Sequence, residues 1–137
     1  MEEVIEARGH EHVRATHGST LEVTTDDWLT PAGDCIVGVE ADRAPADFDP
    51  AFVDACRDPA ARIEATLSVD GRRETVVASG DPRLTFGSDR SAVLRTSDYV
   101  DDRTVAVAAD AAAADVDRDL VAPLADGADL TVVLAVE

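Results

Sequence analysis

The chain has 137 residues and a formal net charge of −17, from 29 acidic and 12 basic residues. This length suits one domain, and 45% hydrophobic residues supply one core. We therefore expect residues 1–137 to form a single domain. No apolar run approaches the about 20 residues that a transmembrane helix needs. Residues 1–4 (MEEV) carry two acids where a signal peptide needs a basic flank. We expect a cytoplasmic protein with no membrane partner.

All 12 basic residues are arginine, and lysine, asparagine and glutamine are absent. This composition is typical of a halophile, because molar salt shortens the Debye length to about 3 Å and weakens repulsion between surface carboxylates. We expect low salt to destabilise such a protein. The charge disfavours nucleic-acid partners in ordinary salt. In a halophile, however, the charge reflects the environment, so the charge alone does not exclude RNA.

Alternation of apolar and polar residues with period two predicts about eight short strands. The clearest covers residues 63–69, and Asp70-Gly71 after it favours a two-residue hairpin turn. A longer loop stays open, because that register sets Leu67 against Glu74. Residues 35–39 are almost wholly apolar, which predicts a central strand. The strands cover residues 4–8, 20–24, 35–39, 63–69, 72–78, 93–95, 104–108 and 130–136.

Two helices are predicted between the strands. Asp49 is a favourable N-cap for the first, and Pro50 suits its first position. The second covers about residues 111–124, with Pro123 in its last turn. No internal repeat is visible, and residues 111–114 are the only low-complexity patch. About eight strands and two short helices predict a mainly β sandwich or barrel.

All three histidines, His10, His12 and His17, lie within eight residues. Such a cluster is compatible with a metal site. A single strand over this stretch would place His10 and His12 on one face and His17 on the other. We therefore predict no metal site. The two cysteines, Cys35 and Cys56, sit among apolar neighbours and are expected to be small buried side chains.

The candidate site combines a titrating pair with arginines near strand ends. His17 is the predicted base and Glu22 its orienting acid, since proton transfer needs such a pair within hydrogen-bond reach. Arg95 and Arg103 are predicted anion clamps, although pairing with neighbouring aspartates is an alternative. Asp34 is either a turn cap or a site residue. The predicted ligand-binding residues are His10, Thr20, Asp34, Arg95, Ser97 and Arg103.

The sequence also resembles a family of archaeal proteins, the domain of unknown function 371. The resemblance covers nearly the whole chain. It is carried by Gly9-His10, Val13, Ala15, His17, residues 20–24, Leu29-Thr30, residues 33–36, Gly38, Ala41-Asp42, Arg95, residues 97–99, Arg103-Thr104, Ala109-Asp110, Ala112 and Asp115. It implies an all-β sandwich of jelly-roll type and assigns no catalytic roles. His10 and His17 belong to the family pattern and His12 does not. Thr96, Ala111 and Arg43 stand where the family usually has lysine.

Three hypotheses about function follow from the sequence. The favoured one is a small-ligand-binding β-sandwich, open to being a small enzyme, with an anionic or other small molecule in a His/Glu/Arg pocket and no identified cofactor. The second is an RNA- or ribosome-associated module, which needs Arg14, Arg72, Arg73, Arg95 and Arg103 on one face. The third is a protein-interaction or assembly subunit, including a homo-oligomer, that pairs through an exposed strand edge.

Overall fold

The computed structural model describes residues 1–137 and contains two four-stranded sheets, two α-helices and two 3₁₀ turns. The strands are β1 (Glu2–Arg8), β2 (Thr20–Thr24), β3 (Ile36–Gly38), β4 (Arg62–Val69), β5 (Arg72–Ser79), β6 (Ser91–Arg95), β7 (Thr104–Ala106) and β8 (Asp129–Val136). The helices are α1 (Pro50–Cys56) and α2 (Arg118–Ala125), and the 3₁₀ turns are Pro45–Asp47 and Ala113–Asp115. The prediction of a mainly β fold with about eight strands and two short helices is confirmed.

The first sheet has the strand order β1-β8-β4-β5, and the second has the order β3-β2-β6-β7. Isolated bridges between Arg8 and Val39 and between Ser79 and Val107 link the two sheets along both edges. The first sheet is antiparallel throughout, whereas the pairs β2–β3 and β6–β7 are parallel. A jelly roll is built from antiparallel strands. The jelly-roll part of the expectation is therefore not confirmed.

The core lies between the two sheets and under the helices. One cluster of 35 buried residues draws on every strand and on both helices. At one end, the rings of Phe48, Phe52 and Phe86 pack with centroids 5.7 to 6.4 Å apart. Such spacing is favourable for tilted and edge-to-face aromatic contacts. Because Phe86 comes from a distant part of the chain, this cluster ties the region of α1 to the loop before β6.

The β4–β5 hairpin and α1 confirm their predictions. The hairpin has the two-residue turn, with Asp70 at φ 51° and Gly71 at φ 80°. Its register pairs Leu67 with Glu74, and the Glu74 carboxylate accepts the backbone N–H of Asp117 at the start of α2. This contact explains why a charged residue is accommodated opposite a core leucine.

Two predictions about elements need correction. The second helix was expected over residues 111–124, but α2 begins at Arg118 because the Asp117 side chain accepts the Asp119 N–H and caps it there. The strand predicted at residues 35–39 exists as β3, but it lies at the edge of the second sheet and not at its centre. It is buried because the bridge to β1 covers that edge.

The order of elements repeats within the chain. In the first half, residues 2–69, the order is β1, β2, β3, a 3₁₀ turn, α1 and β4. The second half, residues 72–136, has β5, β6, β7, a 3₁₀ turn, α2 and β8 in the same order. Strands β2 and β6 pair antiparallel at the centre of the second sheet, with Glu22 opposite Val93. An approximate two-fold axis therefore passes between these residues, and the expectation of no internal repeat is wrong.

The repeat is also visible in the sequence once the halves are aligned. Residues 41–49 (ADRAPADFD) and 109–117 (ADAAAADVD) are identical at six of nine positions. The residues just before these segments, Glu40 and Ala108, both have positive φ, at 53° and 52°. A shared left-handed residue in two non-glycine positions is unusual. The shared conformation supports the equivalence of the two halves.

Each half also packs against the helix of the other half at an equivalent glycine. A Cβ on Gly9 would lie 1.9 Å from the carbonyl oxygen of Leu124 in α2. A Cβ on Gly80 would lie 2.2 Å from the carbonyl oxygen of Cys56 in α1. Since no side chain fits at these distances, both glycines are required for close backbone approach. The two halves therefore interlock.

Candidate functional site

Two crossover segments lie over the outer face of the second sheet. Parallel neighbours need a crossover connection, and here residues 25–35 join β2 to β3 while residues 96–103 join β6 to β7. Beneath them the outer face carries polar side chains that are almost fully buried. These side chains are Glu22, Thr24, Ser91, Arg95 and Thr104. Buried polar groups need partners, so the contacts of this face decide what it can do.

A groove of about 320 Å³ lies beside the crossover of the first half. Only three of its eleven lining residues are hydrophobic. Glu22, Arg90 and Arg103 contribute charges, and Trp28 and Ile36 contribute apolar surface. We call this cavity the first-half groove. It brings one predicted catalytic residue, Glu22, together with one predicted anion clamp, Arg103.

The Glu22 carboxylate is the least satisfied charged group in the first-half groove. The residue is 9% exposed, and its Oε1 accepts one hydrogen bond, 3.6 Å long, from the thiol of Cys35. The other oxygen, Oε2, has no hydrogen-bond partner within the protein. Burial and the neighbouring Glu22 charge raise the pKa of the Cys35 thiol to about 11. The thiol is therefore protonated near neutral pH and is not an activated nucleophile.

The two arginines of the first-half groove are each held by an aspartate. Arg90 donates from Nε and Nη2 to the Asp26 carboxylate, with a shortest distance of 2.7 Å. These bonds and the charge of Arg90 lower the pKa of Asp26. Arg103 donates from Nε and Nη2 to Asp101, which leaves Nη1 without a partner. The first-half groove thus holds both signs of charge.

The equivalent position in the second half is filled by Arg95. Its Nε donates to Thr104 Oγ1 at 2.8 Å, and its Nη2 donates to Asp101 Oδ2 at 3.1 Å. Its guanidinium carbon lies 4.8 Å from the ring centroid of Tyr99, a cation–π contact. The two-fold relation places Thr24 where the second half has Arg95. Threonine carries no guanidinium, so the first half has no counterpart of the contact between Arg95 and Tyr99.

Comparison with known proteins gives the family. A family model described as Domain of unknown function (DUF371) matches residues 5–137. The chain belongs to this family. An uncharacterized protein of Methanocaldococcus jannaschii is 38% identical over 130 residues, which cover 95% of this chain and 96% of that protein. The resemblance noted in the sequence is thus confirmed. The DUF371 description names no activity, so the function of this DUF371 chain has to be argued from its own side chains.

His17, the predicted base, acts as a turn cap in this DUF371 structure. Its Nδ1 accepts the N–H of Thr20 at 3.1 Å and the N–H of Ser19 at 3.2 Å, and contacts the Thr20 hydroxyl at 3.0 Å. No hydrogen bond joins His17 to Glu22. The predicted acid–base pair is therefore not formed by direct contact, because Nδ1 is used by the backbone of the turn before β2.

The remaining predicted site residues are divided among three places. Thr20 and Arg95 lie on the same outer face as Glu22 but do not line the first-half groove. Asp34 accepts the backbone N–H groups of Thr16 and His17 through its carbonyl oxygen. The last two residues lie outside this face. Ser97 accepts the Tyr99 N–H in an exposed turn, and His10 lines a separate, open depression beside Ala125 and Gly127.

The structure also bears on the metal, RNA and membrane hypotheses. No group of three or more His, Cys, Asp or Glu side chains is placed to hold a metal ion. The arginines proposed for an RNA surface do not converge: Arg72 and Arg73 lie on β5 in the first sheet, while Arg95 is buried in the second. Neither helix is long and apolar enough to cross a membrane.

Sequence reasoning missed Trp28 and Arg90 as residues of the first-half groove. A signal for Trp28 exists, because residues 25–28 (TDDW) and residues 96–99 (TSDY) are equivalent and each ends in an exposed aromatic residue. Arg90 carries no such signal. It reaches the groove only because β6 lies next to β2 and brings Arg90 opposite Asp26, 64 residues away in sequence.

Proposed function

We propose that this DUF371 protein binds a small polar molecule in the first-half groove. The observation that supports the proposal is the Glu22 carboxylate, which is nine-tenths buried and has one oxygen without a partner. No buried side-chain oxygen in the structure lacks a hydrogen-bond partner, so Oε2 is accessible from the first-half groove. A ligand with an N–H or O–H donor can therefore reach Oε2 and form a charge-assisted hydrogen bond. The carboxylate would in turn orient the ligand.

The size and lining of the groove favour a small molecule over a macromolecule. Small-molecule sites commonly occupy about 300–1,000 Å³, and the first-half groove has about 320 Å³. Trp28 is 56% exposed at the groove and offers an aromatic face. Arg103 offers its unpartnered Nη1. The ligand that fits these groups is polar. It has a hydrogen-bond donor for Glu22 and a flat group for Trp28 at one end, and an acceptor for Arg103 at the other.

The contacts favour binding rather than acid–base catalysis. Proton transfer needs a titrating group with a free site next to the reacting atom. The Nδ1 of His17 is used by its own turn, and the thiol of Cys35 is held protonated. Glu22 is the remaining candidate, and it has no partner base. We therefore assign Glu22 and Arg103 to ligand binding and give His17 a structural role.

A fragment screen by two-dimensional amide NMR in molar KCl tests this proposal. Small polar fragments should shift the amide resonances of residues 22, 28, 36, 90 and 103 as a group. The Glu22→Ala variant should lose these shifts, whereas His10→Ala, in the separate depression, should keep them. Fragments that shift only the residues around His10, or a screen with no shifts in the first-half groove, would contradict the proposal.

A further inference from the structure

The second half of the chain shows what the position equivalent to the first-half groove can hold. There the guanidinium of Arg95 stacks on Tyr99 and donates to Asp101 and Thr104. Arg95 is 9% exposed, so this guanidinium is almost fully enclosed by the protein. The second half therefore contains a built site for a planar cation, and the protein's own side chain occupies it.

The first half provides an aromatic ring and a carboxylate without the cation. Trp28 is the counterpart of Tyr99, and indole is the better cation–π partner of the two. Glu22 supplies a negative charge as Asp101 does in the second half, but from a different position, because the two-fold relation sets Glu22 opposite Val93. Thr24 stands where the second half has Arg95, and a space of about 320 Å³ lies beside Trp28. An aromatic face, a carboxylate and free volume therefore coincide.

We propose that the first-half groove binds a free guanidino compound, with its guanidinium between Trp28 and Glu22 as Arg95 lies in the second half. This inference rests on the function proposed above and names its ligand class. A guanidinium is planar and weakly hydrated, and its N–H groups match the two oxygens of a carboxylate. Neither a compact ammonium nor a neutral urea group has all three properties.

Arg103 extends the inference to the other end of the ligand. Two of its three nitrogens donate to Asp101, and Nη1 remains without a partner. Arginines commonly bind carboxylates through such N–H groups. A guanidino amino acid, such as free arginine, can place its guanidinium at Glu22 and its carboxylate at Arg103. Agmatine, which has the same guanidinium and no carboxylate, lacks the second contact.

The intrinsic fluorescence of Trp28 and calorimetry together test this ligand class. Trp28 is the only tryptophan in the chain, so its emission reports on the groove alone. Arginine in molar KCl should change that emission and bind with measurable heat. Citrulline, which is isosteric but neutral, and lysine should bind about tenfold more weakly or worse, because each loses a charged hydrogen bond or the planar fork.

Variants identify the groups that hold each end of the ligand. Glu22→Gln should weaken arginine by about tenfold or more. The matched control, Asp34→Asn, should leave the affinity unchanged because the Asp34 carboxylate makes no hydrogen bond and lies outside the groove. Arg103→Gln should weaken arginine and leave agmatine unchanged. The thermal midpoint of each variant shows whether it is folded.

The outcomes separate this inference from the proposed function. Equal affinity for arginine, citrulline and lysine would overturn the guanidino assignment, as would arginine binding that Glu22→Gln does not change. If arginine fails to bind while other fragments shift the groove resonances, the ligand class is wrong and the proposed function stands. If nothing binds there, both are wrong. A blocked Gly-Arg-Gly peptide presents an arginine side chain without free termini. If this peptide binds more tightly than free arginine, the ligand is a protein side chain and not a free guanidino compound.

Discussion

The two halves of this DUF371 chain differ at one pair of equivalent positions, Thr24 and Arg95. In the second half, Arg95 fills the space between its sheet and its crossover segment, and all its contacts lie within the protein. In the first half, Thr24 occupies the equivalent place, and the space remains open beside Trp28. The comparison shows that the same fold can make this position either part of the structure or a cavity.

The difference in charge follows the same division. Asp101 in the second half accepts hydrogen bonds from both Arg95 and Arg103. Glu22 in the first half accepts one weak bond from a thiol. Satisfied buried ion pairs stabilise the fold, whereas a carboxylate oxygen that is open to a groove and has no partner is a place where a ligand can add a hydrogen bond. We therefore propose that the contacts of Arg95 in the second half stabilise the fold, and that the first-half groove binds a ligand.

The largest expected effect concerns the glycines that interlock the halves. Gly9→Ala and Gly80→Ala should each lower the free energy of unfolding by about 3 kcal/mol or more, because the added methyl group overlaps a helix carbonyl and forces the backbone apart. Gly18→Ala is the control, since nothing lies within 4 Å of its added Cβ. Chemical denaturation checks this. A loss below about 1 kcal/mol at both interlocking glycines would contradict the described packing.

The next effect concerns Arg95 itself. Arg95→Met should lower the free energy of unfolding by about 2–3 kcal/mol, because Thr104 and Asp101 lose donors in a buried setting. Arg83→Met removes an exposed arginine paired with Asp81 and should cost less than about 1 kcal/mol. Denaturation of both variants in the same salt gives the comparison. Equal losses of stability in the two variants would show that Arg95 stabilises the fold no more than an exposed arginine does.

Acid unfolding tests the charge of the second-half site. Burial acts to raise the pKa of Asp101, but hydrogen bonds and charges from Arg103 and Arg95 outweigh it and lower the pKa. A lowered folded pKa stabilises the protein above the unfolded value of about 3.9, and this stability is lost as pH falls through the folded pKa. Asp101→Asn should therefore show a smaller loss of stability below about pH 4 than the wild type. An identical acid dependence would contradict the assignment.

The smallest expected effect concerns the thiol of Cys35. Alkylation by iodoacetamide at neutral pH should be slow, because the pKa of this thiol is about 11. Glu22→Gln removes a negative charge that raises this pKa and should increase the rate by up to about tenfold, which corresponds to one pKa unit. Cys56, whose pKa of about 12 is raised by burial alone, is the internal control. An unchanged Cys35 rate would show that Glu22 does not act on the thiol.

The sequence predicts the local structure well and the long-range structure less well. Alternation with period two identifies β4 and β8, and Asp70-Gly71 specifies the turn between β4 and β5, because these depend on neighbouring residues. The repeat was missed because residues 111–114 look like low complexity although they belong to an equivalent segment. The alanines there hide the pattern of aspartates that the two halves share.

The candidate site was predicted in part for a similar reason. Glu22 and Arg103 were found because polar residues near strand ends often line sites. The pair of His17 and Glu22 stays a prediction without a direct contact, since spacing in the sequence does not show that the His17 Nδ1 caps the turn before β2. The contrast between Thr24 and Arg95 becomes visible only when the two halves are superposed by the two-fold rotation. Because the repeat was not recognised in the sequence, this contrast could not be predicted.

A structure of the Thr24→Arg variant tests the equivalence of the two sites most directly. The substitution places in the first half the side chain that the second half already has. We expect the introduced guanidinium to lie over the Trp28 ring and to donate to Glu22, at a position that superposes on Arg95 over Tyr99 after the two-fold rotation. A folded variant whose introduced side chain extends into solvent and leaves the first-half groove open would contradict the account.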